Sequence, residues 1–297
     1  MMISKRSFVK RVLLSVIAGS LLGAATVQAD EPRTLFFSAI PDQDESRLME
    51  RFGKVADYLT ERLGVPVKYV PVKSYAAAVT SFRNDQLQLA WFGGLSGVQA
   101  RMVTPGSQAI AQGAEDPVFY SYLIAHSSTG LKASDDFPKE IAGKTFTFGS
   151  KGSTSGRLMP EYYIRKNLDE SPDDAFKSVG FSGNHSRTIE LVESGAYEVG
   201  AVNYQVWDTM LAEDKIDTDQ VSVIWKTPAY PDYQWTIRGD VDASWGEGFS
   251  EKVKTALLEM DAPELLEAFP RSKFISASNE DYLPIEETAK AIGLLDE

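Results

Sequence analysis

The chain has 297 residues, 43% of them apolar and 11% aromatic, with no cysteine, two histidines and a formal charge of −12 at neutral pH. That length and apolar content suffice for a large core and two lobes, and they exclude a disordered chain. Without Cys there are neither disulfides nor thiolate metal sites, and two histidines exclude a multi-histidine metal centre.

The first 29 residues differ in kind from the rest. Lys5, Arg6, Lys10 and Arg11 precede an apolar run over 12–25, and Val27-Gln28-Ala29 supplies a small-x-small cleavage site. This predicts a secretory signal peptide cleaved after Ala29, with an apolar run too short for a membrane anchor. Lys5 stands where a twin-arginine signal has its first Arg, so the general export route is expected. Cleavage removes four positive residues and leaves 26 basic against 42 acidic side chains, a net charge of −16. That balance speaks against nucleic-acid and anionic-membrane partners.

From residue 30 the chain reads as alternating strands and helices. An apolar run at 35–40 predicts a strand. Leu48, Phe52, Val55, Leu59 and Leu63, three or four residues apart, predict a helix that stops at Gly64. A strand at 67–70 follows, then a helix capped by Ser74, a strand over 86–92 broken by Gly93-Gly94, and a helix starting at Ser96. Residues 109–111 and the alternating stretch 119–125 complete a first lobe, 30–125. A polar break at 126–136 opens a second series over 126–228. It has a strand at 145–148, helices from Arg157 to Leu168, through Ile189 and Val192 and over 206–211, and strands at 199–202 and 221–225. After the turn 228–232, a strand over 233–237 returns to the first lobe, and helices near 249–260 and 285–295 complete 229–297. Such alternation predicts a largely parallel sheet in each lobe, with a hinge and an inter-lobe cleft at the strand ends.

The stretch 149–156, Gly-Ser-Lys-Gly-Ser-Thr-Ser-Gly, joins the 145–148 strand to a helix. Three hydroxyls and the N–H groups of a helix N-terminus converge there, a suitable place for an anion. The same residues also fit an N-cap on a turn without a ligand.

In order and separation, four motifs resemble the solute-binding components of ABC importers for phosphonate, phosphite and related oxyanions, a branch of the type II periplasmic-binding-protein fold. They are Lys73-Ser-Tyr75 at a helix start, Trp91-Phe92-Gly-Gly-Leu-Ser96, Ser153-Thr154-Ser155-Gly156, and Gly183-Asn-His185 before a helix. At its closest, the resemblance is to proteins proposed to serve selenate-like uptake. It implies a periplasmic protein that binds a small tetrahedral oxyanion, needs no cofactor and hands its ligand to a membrane permease. It assigns ligand contacts to Ser153, Thr154, Ser155, Tyr75 and His185, and to the aromatic pair Trp91 and Phe92. Where phosphonate binders tend to carry an acidic residue after the strand that follows the histidine, this chain has Asn203. A neutral amide there permits a sulfate- or selenate-type dianion, unless Asp42, Asp44 or Asp232 supplies the acceptor.

An enzyme is not expected. Gly-Ser-Thr-Ser-Gly lacks nucleophile-elbow spacing, and Gly143-Lys-Thr145 has Pro138 where a phosphate loop needs its first glycine. A periplasmic sensor that delivers the oxyanion to a receptor is the alternative within the same fold.

Overall fold

The computed structural model describes residues 33–266 and 269–296, so the signal peptide expected at 1–29 lies outside the described residues. The strands are β1 (Leu35–Ala39), β2 (Val67–Tyr69), β3 (Leu89–Phe92), β4 (Gln108–Gly113), β5 (Ser121–His126) and β6 (Thr145–Phe148). They continue with β7 (Ser178–Phe181), β8 (Val199–Asn203), β9 (Val221–Lys226), β10 (Gln234–Ile237) and β11 (Phe274–Ser276). Two sheets result, one ordered β11-β4-β10-β3-β1-β2 and the other β7-β6-β8-β5-β9. Each is flanked by helices and has its own apolar core, which gives a two-lobed α/β architecture.

The helix Glu45–Leu63 shows how local sequence sets these elements. Leu48, Phe52, Val55, Leu59 and Leu63 form its buried stripe, and each buried side chain contributes about 1.5–3 kcal/mol. Gly64 ends the helix in the left-handed region, with φ 70°, and its N–H caps the Thr60 carbonyl at 3.0 Å.

One expectation needs correction. The stretch 119–125 was expected in the first lobe, but β5 pairs antiparallel with β8 and β9 in the second sheet. The chain therefore leaves the first sheet after β4, and the expected boundary at 125 falls within a strand of the other lobe. Apolar alternation announces a half-buried strand and is silent about which sheet supplies its neighbours. The expected largely parallel character holds, with a minority of strands running against it. In the first, β1, β2 and β3 are parallel while β10 runs against β3 and β4; in the second, β5 runs against β8 and β9. β5 and β10 are the strands that arrive from the other lobe. They enter at the cleft, where the parallel strands end, and so must run the opposite way. A smaller difference is that the helix Gly94–Met102 starts two residues before Ser96, with Gly93 as its N-cap.

The two crossing segments pair with each other. Phe119 and Tyr230 exchange backbone hydrogen bonds of 2.9 Å in both directions, and Asp232 N–H donates to the Asp116 carbonyl at 3.1 Å. This short ribbon is the hinge.

Candidate functional site

Tyr75, Ser153, Thr154, Ser155, His185 and Asn203, all singled out in the sequence, stand at the starts of helices. Tyr75 opens Tyr75–Arg83, and His185 opens His185–Glu193. Ser153 caps a π-turn, Thr154–Leu158, that leads into the helix Met159–Leu168, and Asn203 caps Tyr204–Ala212. Helix N-termini carry partial positive charge and free N–H groups. Local dipoles thus favour an anion within a chain whose net charge repels one.

The Ser153–Gly156 turn is the second lobe's side of the site. Ser153 Oγ accepts from Gly156 N at 2.9 Å, and Leu158 N reaches back five residues to the Ser153 carbonyl at 3.0 Å. The π-turn widens this helix start, as is common at functional sites. Thr154 and Ser155 lie in the first turn, where no intrahelical carbonyl reaches their N–H groups, so these remain available as donors. Thr154 Oγ1 accepts from Leu95 N of the first lobe at 2.9 Å, which leaves the hydroxyl proton free to donate. Ser155 is fixed through its carbonyl, which accepts from Ser121 Oγ of β5 at 2.7 Å. A Cβ on Gly156 would lie 2.9 Å from His185 Cε1 and 3.0 Å from Ser153 Oγ, so the close approach of these two residues requires glycine.

His185 is fully buried and faces this turn. Its Nδ1 accepts from the Asn203 N–H at 3.2 Å, which places the ring proton on Nε2, and Nε2 has no partner among the described residues. Burial pushes its pKa down to about 3, so the imidazole is a neutral donor. The Tyr75 hydroxyl lies beside Ser153 and is likewise buried without a partner. Burial, reinforced by the charges of Asp42 and Asp232, pushes its pKa well above the ordinary value and keeps it a donor.

The buried carboxyl near these donors is Asp232. It sits on the hinge ribbon, 1% exposed, with Oδ1 accepting from Gly94 N at 2.9 Å and Oδ2 unpartnered among the described residues. Its Oδ1 and Thr154 Oγ1 lie 3.2 and 3.4 Å from where a Cβ on Gly93 would stand, which brings both lobes and the hinge to one point. Burial raises its pKa to about 7, against the lowering hydrogen bond from Gly94. The turn 228–232 was visible in the sequence, but only the crossing of the chain buries Asp232 beside the Ser153 turn, while Asp44 stays exposed at the start of the helix Glu45–Leu63.

Three expected contacts are placed differently. Phe92 is fully buried against Phe82, with ring centres 5.6 Å apart, on the sheet face covered by the helix Tyr75–Arg83, and so it belongs to the core. Trp91 points the other way but stacks on Tyr233 at 5.4 Å and packs edge-on against Phe269 and Phe274, backing the site through Tyr233. Asn203 is engaged at both ends: Oδ1 accepts from Gln205 N and Val206 N, and Nδ2 donates to the Tyr233 hydroxyl at 3.0 Å. Tyr233 in turn donates to Asp42 Oδ2 at 2.7 Å, and the Asp42 carbonyl accepts from His185 N at 3.0 Å. Asn203 is therefore a brace between lobes, and the absence of an acid there does not leave the site without a carboxyl.

The assembled groups comprise several donors and one carboxyl of near-neutral pKa, suited to a tetrahedral oxyanion that shares one proton with the protein. A family model for periplasmic substrate-binding proteins of phosphonate ABC transporters matches residues 37–282. The chain belongs to this family. It is thus a periplasmic substrate-binding protein of an ABC transporter. This binding protein is 41% identical over 268 residues to a probable ABC-transporter phosphite-binding protein of Prochlorococcus marinus (strain MIT 9301), covering 88% of this chain and 90% of that one. It is 27% identical over 230 residues to a phosphate-import protein of Mycolicibacterium smegmatis, covering 73% of this chain and 70% of that one. The solved structure of PhnD1 from Prochlorococcus marinus in complex with methylphosphonate has a TM-score of 0.85 and 40% identity to it, covering 89% of this chain and 100% of that one. By name these relatives handle phosphite, phosphate and methylphosphonate, whereas the sequence resemblance pointed most closely to selenate uptake.

Proposed function

We propose that the chain captures a phosphite- or phosphonate-type oxyanion between its lobes and delivers it to the membrane permease of an ABC importer. The observation that carries this reading is the buried Asp232 carboxyl among donors. A phosphorus oxyanion has a second ionisation near neutrality, about 6 for phosphate esters, and so can share one proton with a carboxyl of similar pKa. Selenate and sulfate bring no proton near neutrality, and above pH 7 an ionised Asp232 repels them. Tyr75, Ser153, Thr154, Ser155 and His185 supply donors to the remaining oxygens. The kinship with phosphite- and methylphosphonate-handling proteins supports the same ligand class.

Catalysis has no support in this geometry. Ser153 lacks a base, because His185 Nδ1 already accepts from Asn203 N and Nε2 carries the proton.

The test is calorimetry of the mature chain with phosphite, methylphosphonate, phosphate, selenate and sulfate at pH 6 and pH 8. Phosphite or methylphosphonate is expected to bind at both values, and selenate and sulfate to fail at pH 8. Tightest binding by selenate at pH 8, or no binding by any phosphorus oxyanion, overturns the reading.

A further inference from the structure

Arg271 lies outside the groups that face the anion, yet it joins the elements that build the site. It belongs to the first lobe, ahead of β11, with a side chain only 3% exposed. Its Nε donates to both Asp116 oxygens at 3.0 Å, and Nη2 donates to Oδ1 at 2.6 Å. Asp116 is on the first crossing segment and holds Asp232 through its carbonyl. A Cβ on Gly113 would lie 2.5 Å from Arg271 Cδ and Cγ, so glycine is needed for the arginine to pass the end of β4. The guanidinium stands 5.1 Å from the ring centre of Tyr233 and 5.5 Å from that of Phe119. From there Nη1 reaches the second lobe and donates to Gln205 Oε1, while Gln205 Nε2 donates back to the Pro270 carbonyl at 3.2 Å. Gln205 is in the first turn of Tyr204–Ala212, next to the Asn203 whose N–H sets the His185 tautomer.

We propose that Arg271 and Gln205 form a closure latch, a positioning pair that holds the lobes shut over the anion without touching it. The proposal rests on the binding function given above. The Arg271–Asp116 pair joins the first lobe to the hinge and is independent of closure, whereas the Gln205 bonds cross between lobes. Opening the cleft breaks the bond from this buried guanidinium nitrogen to Gln205 and leaves it only the Phe269 carbonyl of its own lobe, and such charge-assisted bonds in a dry setting are among the stronger ones. The latch therefore acts on release. The inter-lobe ion pair Arg47–Glu213 lies at the rim with side chains 24% and 34% exposed, where solvent screening makes it weak.

Gln205→Ala removes the inter-lobe bonds and leaves Arg271–Asp116 in place; Glu213→Ala is the control. In stopped-flow measurements, Gln205→Ala is expected to release phosphite or methylphosphonate roughly tenfold faster, the loss expected for a bond to a charged group. Association should stay within about twofold, and Glu213→Ala should match the wild type. Arg271→Ala strands a buried carboxylate, so Arg271→Lys is the second variant. It keeps the charge, cannot span Asp116 and Gln205 together, and is expected to speed release as well. Unchanged release in Gln205→Ala, or equal acceleration in Glu213→Ala, overturns the latch. Should the wild type bind neither anion, the ligand assignment fails by itself, and small-angle scattering of the ligand-free chain decides the latch. Gln205→Ala must then increase the radius of gyration, and an unchanged radius refutes the proposal.

Discussion

Replacing Asp232 with Asn removes the buried carboxyl that the proposed function depends on, and its effect can be worked out before any ligand is added. The rise from an ordinary 3.8 to about 7 corresponds to about 4 kcal/mol. The folded state holds this proton more tightly than the unfolded one. The contribution is therefore fully present below pH 4, is lost as the pH climbs from about 4 to 7, and leaves a constant deficit above 7. His185 works in the opposite direction: its folded value, about 3, lies below the ordinary 6.5, so its contribution is present above pH 6.5 and is lost toward pH 3. In the wild type the two slopes oppose each other between about pH 4 and 6.5. The variant keeps only the His185 slope, so the informative quantity is the difference between the two proteins. Thermal melts from pH 4.5 to 8.5 should show Asp232→Asn gaining on the wild type by up to about 3 kcal/mol, roughly 8 °C for a chain of this size. Melting temperatures that stay parallel within about 2 °C across that range would refute the assignment of a near-neutral pKa to Asp232.

The other expectations concern the donors. Tyr75→Phe removes a hydroxyl that no described residue pairs with, so ligand-free stability should hold or rise, while calorimetry should show affinity for phosphite falling roughly tenfold or more. Ser153→Ala takes away both a donor and the cap on Gly156 N–H; chemical denaturation should show about 1 kcal/mol lost in the free protein, together with weaker anion binding. The His185 imidazole, followed by NMR, should show no protonation down to pH 5, with Nε2 as the protonated nitrogen, and a titration near 6.5 would contradict its burial.

Much of the fold was legible in the sequence because its elements are locally encoded. The Leu48 to Leu63 stripe, the Gly64 stop and the Ser74 cap on Ala77 N–H act within a turn or two of their own residues. The helix starts of the candidate site were legible to the same depth. Tyr75, Ser153 and His185 stand at helix starts, and capping chemistry marks such positions along the chain. Asn203 was marked because the family resemblance puts an acid at that position, and there the signal misled. A capping Asn reads alike whether its amide faces a ligand or, as here, the Tyr233 hydroxyl.

What only the tertiary structure decided is which elements share a sheet and which polar groups meet. β5 belongs to the second lobe because a strand arriving through the hinge can pair antiparallel at the cleft, a choice that alternation does not encode. Asp232 acquires its near-neutral pKa from burial where the crossing segments meet, and Arg271 reaches Gln205 across 66 residues of chain. The amino-acid sequence by itself determined the strands, the helices and the anion-favouring helix starts, because hydrophobic period and capping are short-range. The carboxyl proposed to select the anion and the arginine assigned to the latch are effects of desolvation and long-range contact, and these exist only once the chain has crossed between its lobes twice.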